Sequence, residues 1–370
     1  MNGYYTKITI LIFLIFSVKI FSQQLILSEK ATVSVLTCDQ GNQLHSLFGH
    51  TAIRINDPVA GFDAVYNFGY FDFNTPNFYL KFVKGDMKYF VAVDSFENFM
   101  TEYIYYNRGV YEQTLHLSDT EKQQIFQKLN LILQSQDRFY TYKFIDRNCT
   151  TMVADLLQKI AKLKFSRNIK GNNETNREIL YGYLSNHFYE NLGINIIFGQ
   201  KVDVKFDKIF LPLQLLESIG KSKNTANEKL VLDTKTLNNQ SIQNDFSIWN
   251  NIYSLIIILG LVVFLNNNKI NSIYFVMIGI IGIFLFSVSF YSFHEEVTMN
   301  YNILLFNPLL ILIPFISNNK ILRILLTIIM ATIVIYLVYI ITKPFILIVL
   351  PIIVTNLYIS LKRYNSRKTA

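Results

Sequence analysis

The sequence predicts an exported α+β domain followed by an α-helical transmembrane bundle, and three observations carry that reading. Residues 23–246 alternate polar and apolar stretches at the periods of short strands and capped helices. From Trp249 onward the composition turns to nearly continuous apolar runs. The chain opens with Tyr4, Tyr5 and Lys7 ahead of a short apolar run, 8–18, in the manner of a secretory signal.

Residues 1–22 are accordingly read as a signal peptide ending at Ser22. Lys19 and Phe21 fit a cleavage site poorly, so an uncleaved anchor is the alternative, and either version exports the domain behind it. Residues 23–220 then form an exported domain, long enough for one packed core. Residues 221–248, rich in Lys, Asn and Thr, read as a tether; 249–361 form the bundle and 362–370 a basic cytoplasmic tail.

Within the domain, 30–37 alternates toward a strand and 38–42 reads as a turn. A hairpin comes next, with strands 51–55 and 64–68 joined around Asn56-Asp57-Pro58-Val59-Ala60-Gly61. Further strands are expected at 89–93 and 111–117. Helices are expected at 95–105 and 118–135, each with Ser as N-cap, the second with the capping box Ser118-Asp119-Thr120-Glu121. A third helix, 150–162, places Met152, Val153, Leu156, Leu157 and Ile160 on one face. The sum is an antiparallel sheet with helices on one side.

The apolar runs are 252–265, 273–291, 303–316, 321–341 and 345–359, each near the length that crosses a bilayer, the third and fifth on the short side. Five spans are expected, with four as the alternative. An exported domain puts Lys269, Lys320, Arg323, Lys362, Arg363, Arg367 and Lys368 on the cytoplasmic side, as the positive-inside bias requires. The exported loops carry Glu295, Glu296 and only Lys343. Much of the net charge of +8 is therefore topological, and the remainder suits a domain resting on anionic headgroups. No basic run is interleaved with aromatics, so nucleic acid is not an expected partner.

Two short motifs carry chemistry: Phe48-Gly49-His50-Thr51-Ala52-Ile53-Arg54-Ile55, a strand opening with histidine, and Arg147-Asn148-Cys149-Thr150-Thr151, a cysteine opening a helix. With only two cysteines and five histidines in the chain, few residues can do thiol chemistry. A helix start favours thiolate, because its unpaired amides and its dipole attract negative charge. Cys149 is thus the candidate nucleophile and His50 the candidate base. A turn centred at Pro58 to Ala60 sets positions 67–69 opposite His50, and Asn67 alone there can orient the imidazole by hydrogen bonding. The Cys149 backbone amide would be one oxyanion donor, and Tyr140 or Tyr142 a second. No metal-ligand spacing appears, and the chemistry calls for no cofactor.

These residues, with Val65-Tyr66-Asn67-Phe68-Gly69 and Phe71-Asp72-Phe73-Asn74-Thr75-Pro76-Asn77-Phe78, resemble the Lnb N-terminal periplasmic domain family over about 36–157. Members tend to carry C-terminal spans as well. More distantly, the order histidine then Asn-Cys is similar to circularly permuted papain-like enzymes of the NlpC and lecithin retinol acyltransferase type, which form acyl-thioesters. The resemblance implies a circularly permuted papain-like periplasmic domain on a multi-pass protein of the bacterial inner membrane. It also implies transfer of a fatty acyl group, from membrane phospholipid through a Cys149 thioester, to the N-terminal amine of a diacylglyceryl lipoprotein. A papain-like peptidase or amidase of the envelope, and a non-catalytic binding module, are the competing classes.

Plainer readings stand beside each residue. Cys149 could be a buried thiol or pair with Cys38, since an exported chain with an even cysteine count invites a disulfide. His45 reads as a residue near the site, or as the base itself; His116 and His187 read as solvated. Asp72, Asn74, Asn77 and Arg108 are turn and capping residues, or the rim of a substrate site. The aromatic run 71–90 is core, or an edge lying on the bilayer. His294, Asn302 and Asn307, at the exported mouth of the bundle, are substrate-binding candidates.

Overall fold

The computed structural model describes residues 25–240, 247–265 and 267–366; the expected signal peptide, 1–22, lies outside the described residues. Seven strands, β1 (Thr32–Cys38), β2 (His50–Asp57), β3 (Phe62–Tyr70), β4 (Lys88–Ser95), β5 (Val110–Leu115), β6 (Phe139–Thr141) and β7 (Val231–Asn238), form one sheet. Their order is β6-β4-β3-β2-β1-β5-β7, and every pairing is antiparallel. The β2–β3 hairpin closes where the Asp57 carboxylate accepts from the Val59 and Ala60 N–H groups, an Asx turn that fixes the register Ala52 to Asn67.

The domain's helices are α1 (Phe78–Lys84), α2 (Phe96–Tyr105), α3 (Asp119–Gln134), α4 (Cys149–Ile160), α5 (Asn176–Tyr183), α6 (Phe188–Ile197) and α7 (Pro212–Gly220). Ser95 caps α2 by accepting from Asn98 N–H, and Ser118 with Glu121 makes the capping box of α3. Period-2 alternation divides the strands between two faces. Val35, Ile53, Tyr66 and Phe68 meet α3, α4 and α7 in the main core, while Leu36, Ala52 and Val65 meet Phe99 and Tyr103 of α2. Helices therefore cover both faces, where one was expected: α2 has its own apolar stripe and a small core to fill.

The expected tether contains β7, which pairs with β5 at the sheet edge. Thr234 and Thr236 supply the β-branched positions, and Asp233 and Lys235 the charges that suit an exposed edge strand, so the polar composition hid it.

After Trp249 come α8 (Ile252–Leu265), α9 (Asn268–Tyr291), three 3-10 pieces (Glu295–Val297, Tyr301–Leu304, Pro308–Phe315), α10 (Asn319–Ile340) and α11 (Ile346–Ser366). Four segments are long and apolar enough to cross a membrane: Asn268–Tyr291, Glu295–Phe315, Asn319–Ile340 and Ile346–Ser366. The first run, α8, is a shorter apolar helix of 14 residues, about 21 Å at 1.5 Å per residue, so the expected five become four and a short one. The last helix continues through Lys362 and Arg363, into the expected tail.

Irregular backbone among apolar helices needs hydrogen bonds from inside the protein. Side chains supply them: Asn356 donates to Leu305 C=O at 3.1 Å, and Thr332 to Leu304 C=O at 3.2 Å. A Cβ on Gly282 would collide with the Phe306 backbone, and one on Gly279 with Ile311, so glycine lets the irregular segment lie flat against α9. At one end of the bundle Arg363 reaches Asn268, and Arg323 reaches Tyr364. The domain sits at the other end, where Lys343 is 3.3 Å from Asp203.

Buried Arg177 of α5 organises the domain side of the junction and lies over the bundle's Tyr301 and Phe345 rings at 5.6 and 5.0 Å. Its five N–H groups go to Asp203, to Asn195 C=O and Oδ1, and to the Phe198 and Gly199 carbonyls, at 2.7–3.3 Å. Beneath it Asn302, fully buried, donates to Asn195, Ile196 and Phe198 carbonyls and to Asn300 Oδ1, and accepts from Tyr336 O–H at 2.8 Å.

Candidate active site

Cys149 is the first residue of α4. Asn148 builds that start: its Oδ1 accepts from Thr151 N–H at 3.0 Å, its own N–H donates to Thr151 Oγ1 at 2.9 Å, and its Nδ2 donates to Phe144 and Phe210 carbonyls. The side chain is fully used in the cap, which fixes where the helix begins and so where the thiol stands. The Cys149 amide is then among the N–H groups that no helix can pair internally.

His50 opens β2, and its Nε2 is 3.1 Å from Asn67 Oδ1 on β3. An amide oxygen only accepts, so Nε2 carries the proton and Nδ1 is left as the basic nitrogen. Asn67 pairs with Ala52 in the ladder and reaches His50 diagonally. Its Nδ2, in a side chain only 2 % exposed, has no partner among the described residues.

Gly69 brings histidine and cysteine together. It has φ +111°, which favours glycine, and sits at the register shift between Phe68 and Tyr70. A Cβ built there would lie 3.7 Å from Cys149 Cβ and 3.9 Å from His50 Cε1, so the bare backbone is the wall that both side chains face. Behind them Thr51 and Thr150 hydroxyls meet at 3.1 Å and tie β2 to α4.

Burial opposes ionisation of the partly exposed Cys149 thiol, but the charge and hydrogen bond of His50, the Thr51 backbone N–H and the Thr150 hydroxyl outweigh it. The thiol is held below its ordinary range. Cys38 behaves oppositely: opposite His50 in the ladder but wholly buried, its thiol is pushed up to about 12 by desolvation against the lowering effect of Arg108. Both cysteines are free, so the expected alternative of a 38–149 bond is absent from this structure.

Three tyrosines surround the thiol. Tyr89 and Tyr142 stack at 4.4 Å, and burial first, then neighbouring charge including that of Cys149, pushes the Tyr89, Tyr140 and Tyr142 hydroxyls upward. Neutral phenols near a developing oxyanion are donors. Tyr140, 1 % exposed, has a hydroxyl without a partner among the described residues and better suits a second oxyanion donor than the stacked Tyr142.

The remaining sequence candidates are placed elsewhere. Asp72 accepts from Asn74 N–H in a turn, and Asn77, with φ 57°, precedes α1 as its N-cap position. Arg108 donates Nε and Nη2 to Asp39 C=O and lies over the Tyr103 ring at 4.7 Å. His45 is exposed at a separate cavity of about 650 Å³ that Ser46, Glu102 and Arg108 also line, and its ring meets Phe71 edge-on at 6.4 Å. His294 Nε2 donates to Phe82 C=O, 3.0 Å away, in the seam between domain and bundle. Asn302 is consumed by the network under Arg177, and Asn307 caps the next 3-10 turn and reaches Thr332. Polar residues near apolar spans looked like substrate ligands, but irregular backbone needs the same residue types.

Gly69, Thr51 and Glu296 take positions around the thiol that spacing did not assign them. Gly69 stood in the Asn67-Phe68-Gly69 motif, so a signal existed. Nothing local marked Glu296, which buttresses the loop before Cys149 by accepting from Ile145 N–H at 3.0 Å across a separation of 151 residues.

Residues 21–180 match the family described as the Lnb N-terminal periplasmic domain. The matched stretch holds His50, Asn67, Gly69, Tyr140 and Cys149. No curated protein and no solved structure matches the chain.

Proposed function

We propose that this chain, whose residues 21–180 belong to the Lnb N-terminal periplasmic domain family and which carries four membrane-length apolar segments, is a thiol-dependent lipoprotein N-acyltransferase of the bacterial inner membrane. One observation carries the reading: Cys149 at a capped helix start, facing His50 across Gly69, with Asn67 on the far ring nitrogen. That is the arrangement a papain-like acyl-thioester enzyme requires.

In the first half-reaction the Cys149 proton passes to His50 Nδ1, and the thiolate attacks an ester carbonyl of a membrane phospholipid. The Cys149 N–H and Tyr140 O–H face the oxyanion. Collapse breaks the ester C–O bond, and His50 gives its proton to the departing lysophospholipid alkoxide. In the second, the N-terminal amine of a diacylglyceryl lipoprotein attacks the thioester. His50 takes the amine proton, the C–S bond breaks, and the thiolate–imidazolium pair is restored with an amide formed.

A peptidase would share the dyad, and the acceptor separates the two. The purified full chain, incubated with phosphatidylethanolamine vesicles and no acceptor, should show a fatty acyl mass on the Cys149 peptide that hydroxylamine removes. An unmodified Cys149 peptide together with cleavage of envelope peptides would replace this reading with the peptidase.

A further inference from the structure

The aromatic run before β4 is exposed where a soluble domain would bury it. Phe73 is 64 % exposed, Tyr79 79 % and Leu80 68 %, with Phe82 also exposed, all within ten residues around α1. Scattered apolar side chains on a surface need no explanation, but a contiguous patch marks a contact.

The position of α1 identifies that contact. Its C-terminal carbonyls are satisfied by the loop that leaves α9: Ser292 Oγ donates to Val83 C=O at 2.8 Å, Phe293 N–H to Lys84 C=O at 2.7 Å, and His294 Nε2 to Phe82 C=O. Gly85, with φ +75°, lets the chain turn so close to His294 that a Cβ would fall 2.8 Å from its ring. The patch is thus pinned to the loop that follows a membrane-length helix, whose last turn carries the exposed Phe290 and whose loop carries the exposed Phe293. Lys84 Nζ lies 5.3 Å over the Phe293 ring, the pairing of aromatic and lysine found at the membrane–water boundary.

Inward from the patch the rings continue without a break. Phe73 meets Phe71 at 4.8 Å and Phe78 at 5.1 Å, Phe71 meets Tyr89 at 5.1 Å, and Tyr89 stacks on Tyr142 beside Cys149. The same end of the hairpin carries His50, Asn67 and Gly69, while its turn at Val59 points the other way, about 26 Å off for an eight-residue strand.

We propose that residues 73–82 are a lip inserted in the outer face of the bilayer, and that the aromatic track behind it leads a lipid acyl ester to Cys149. Phe73, Tyr79, Leu80 and Phe82 displace lipid headgroups, with Lys81 and Lys84 left among the phosphates. Delivery of an ester rests on the acyl-transfer reading, whereas insertion is read without any activity, so the two can fail separately.

The chain has one tryptophan, Trp249, which permits a direct depth measurement. In a Trp249→Phe background, the full chain in phosphatidylethanolamine and phosphatidylglycerol vesicles receives Tyr79→Trp, Leu80→Trp or, as a water-side reference, Val59→Trp. All three positions are largely exposed, so the new ring disturbs no packing. Tyr79→Trp and Leu80→Trp should emit toward the blue, be quenched by lipids brominated on their acyl chains and be shielded from iodide, with Val59→Trp reversed on all three counts. Iodide quenching of Tyr79→Trp and Leu80→Trp equal to that of Val59→Trp, with no quenching by bromolipid, would overturn the insertion.

Discussion

Two buried polar clusters lie within one molecule and are finished differently. Around Arg177 all five guanidinium N–H groups and every donor of Asn302 are matched, mostly to backbone carbonyls, while Asp203 Oδ2 and the Tyr301 hydroxyl beside them have no partner among the described residues. Around Cys149 the thiol is partly open, and Asn67 Nδ2 and Tyr140 O–H have no partner among the described residues. Both clusters thus keep buried polar atoms without a partner, and what sets them apart is access: the donors at the junction are spent on protein carbonyls, whereas the thiol is partly open to an incoming reactant. The contrast separates a structural lock, which holds the domain on the bundle, from a site built to receive a reactant.

The largest effects should fall on opposite properties. Cys149→Ala is expected to abolish acyl transfer while shifting the melting transition far less than loss of Arg177 does. Arg177→Met should spare the thiol chemistry of the fraction that remains folded and cost about 3–5 kcal/mol, as when one partner of a buried ion pair is removed. Thermal unfolding in detergent beside thioester trapping reads both; equal loss of activity and stability in each variant would erase the distinction.

Next come the two thiols. Cys38, near 12 against an ordinary 9.0, holds about 10³ less thiolate than a free cysteine, at roughly tenfold per unit. Cys149, held low, should be alkylated by iodoacetamide at pH values where a free thiol is slow, with Cys38 unmodified. Because its folded-state value is depressed, ionised Cys149 adds stability that is complete above the ordinary thiol range and is lost as pH falls through the lowered value. Peptide mapping across a pH series checks the reactivity, and unfolding across the same series checks the sign of the stability change.

Two asparagines sharpen the comparison further. Asn67→Ala should slow acyl transfer by roughly 10², within the range of general acid–base assistance, by freeing the His50 tautomer. Asn302→Ala should instead lower stability by about 1–3 kcal/mol, since it leaves buried carbonyls unmatched. Smallest is Tyr336→Phe, which removes one hydrogen bond to Asn302 and should cost about 1 kcal/mol, visible only as a shift in melting temperature.

Much of this was readable in the chain because it was local. The Ser118 and Ser95 caps, the hairpin and the Asn148-Cys149 helix start depend on neighbours a few residues apart, and each stands within one to two residues of its expected place. The reach from His50 to Asn67 came from hairpin arithmetic. Composition hid the non-local features. A strand inside a Lys- and Asn-rich segment needed β5 to pair with, and Asn302 needed the carbonyls of α6 to become structural. His294 likewise took its meaning from α1, over two hundred residues earlier. Spacing alone cannot separate a polar residue that binds substrate from one that repairs irregular backbone.

The most direct test of the acyl-transfer proposal is mass spectrometry of the N-terminal peptide of one diacylglyceryl lipoprotein, from cells carrying the intact protein or its Cys149→Ala variant. An N-acylated amine is expected with the intact protein and a free amine with the variant. N-acylation persisting at an unchanged level in the Cys149→Ala cells would contradict the proposal.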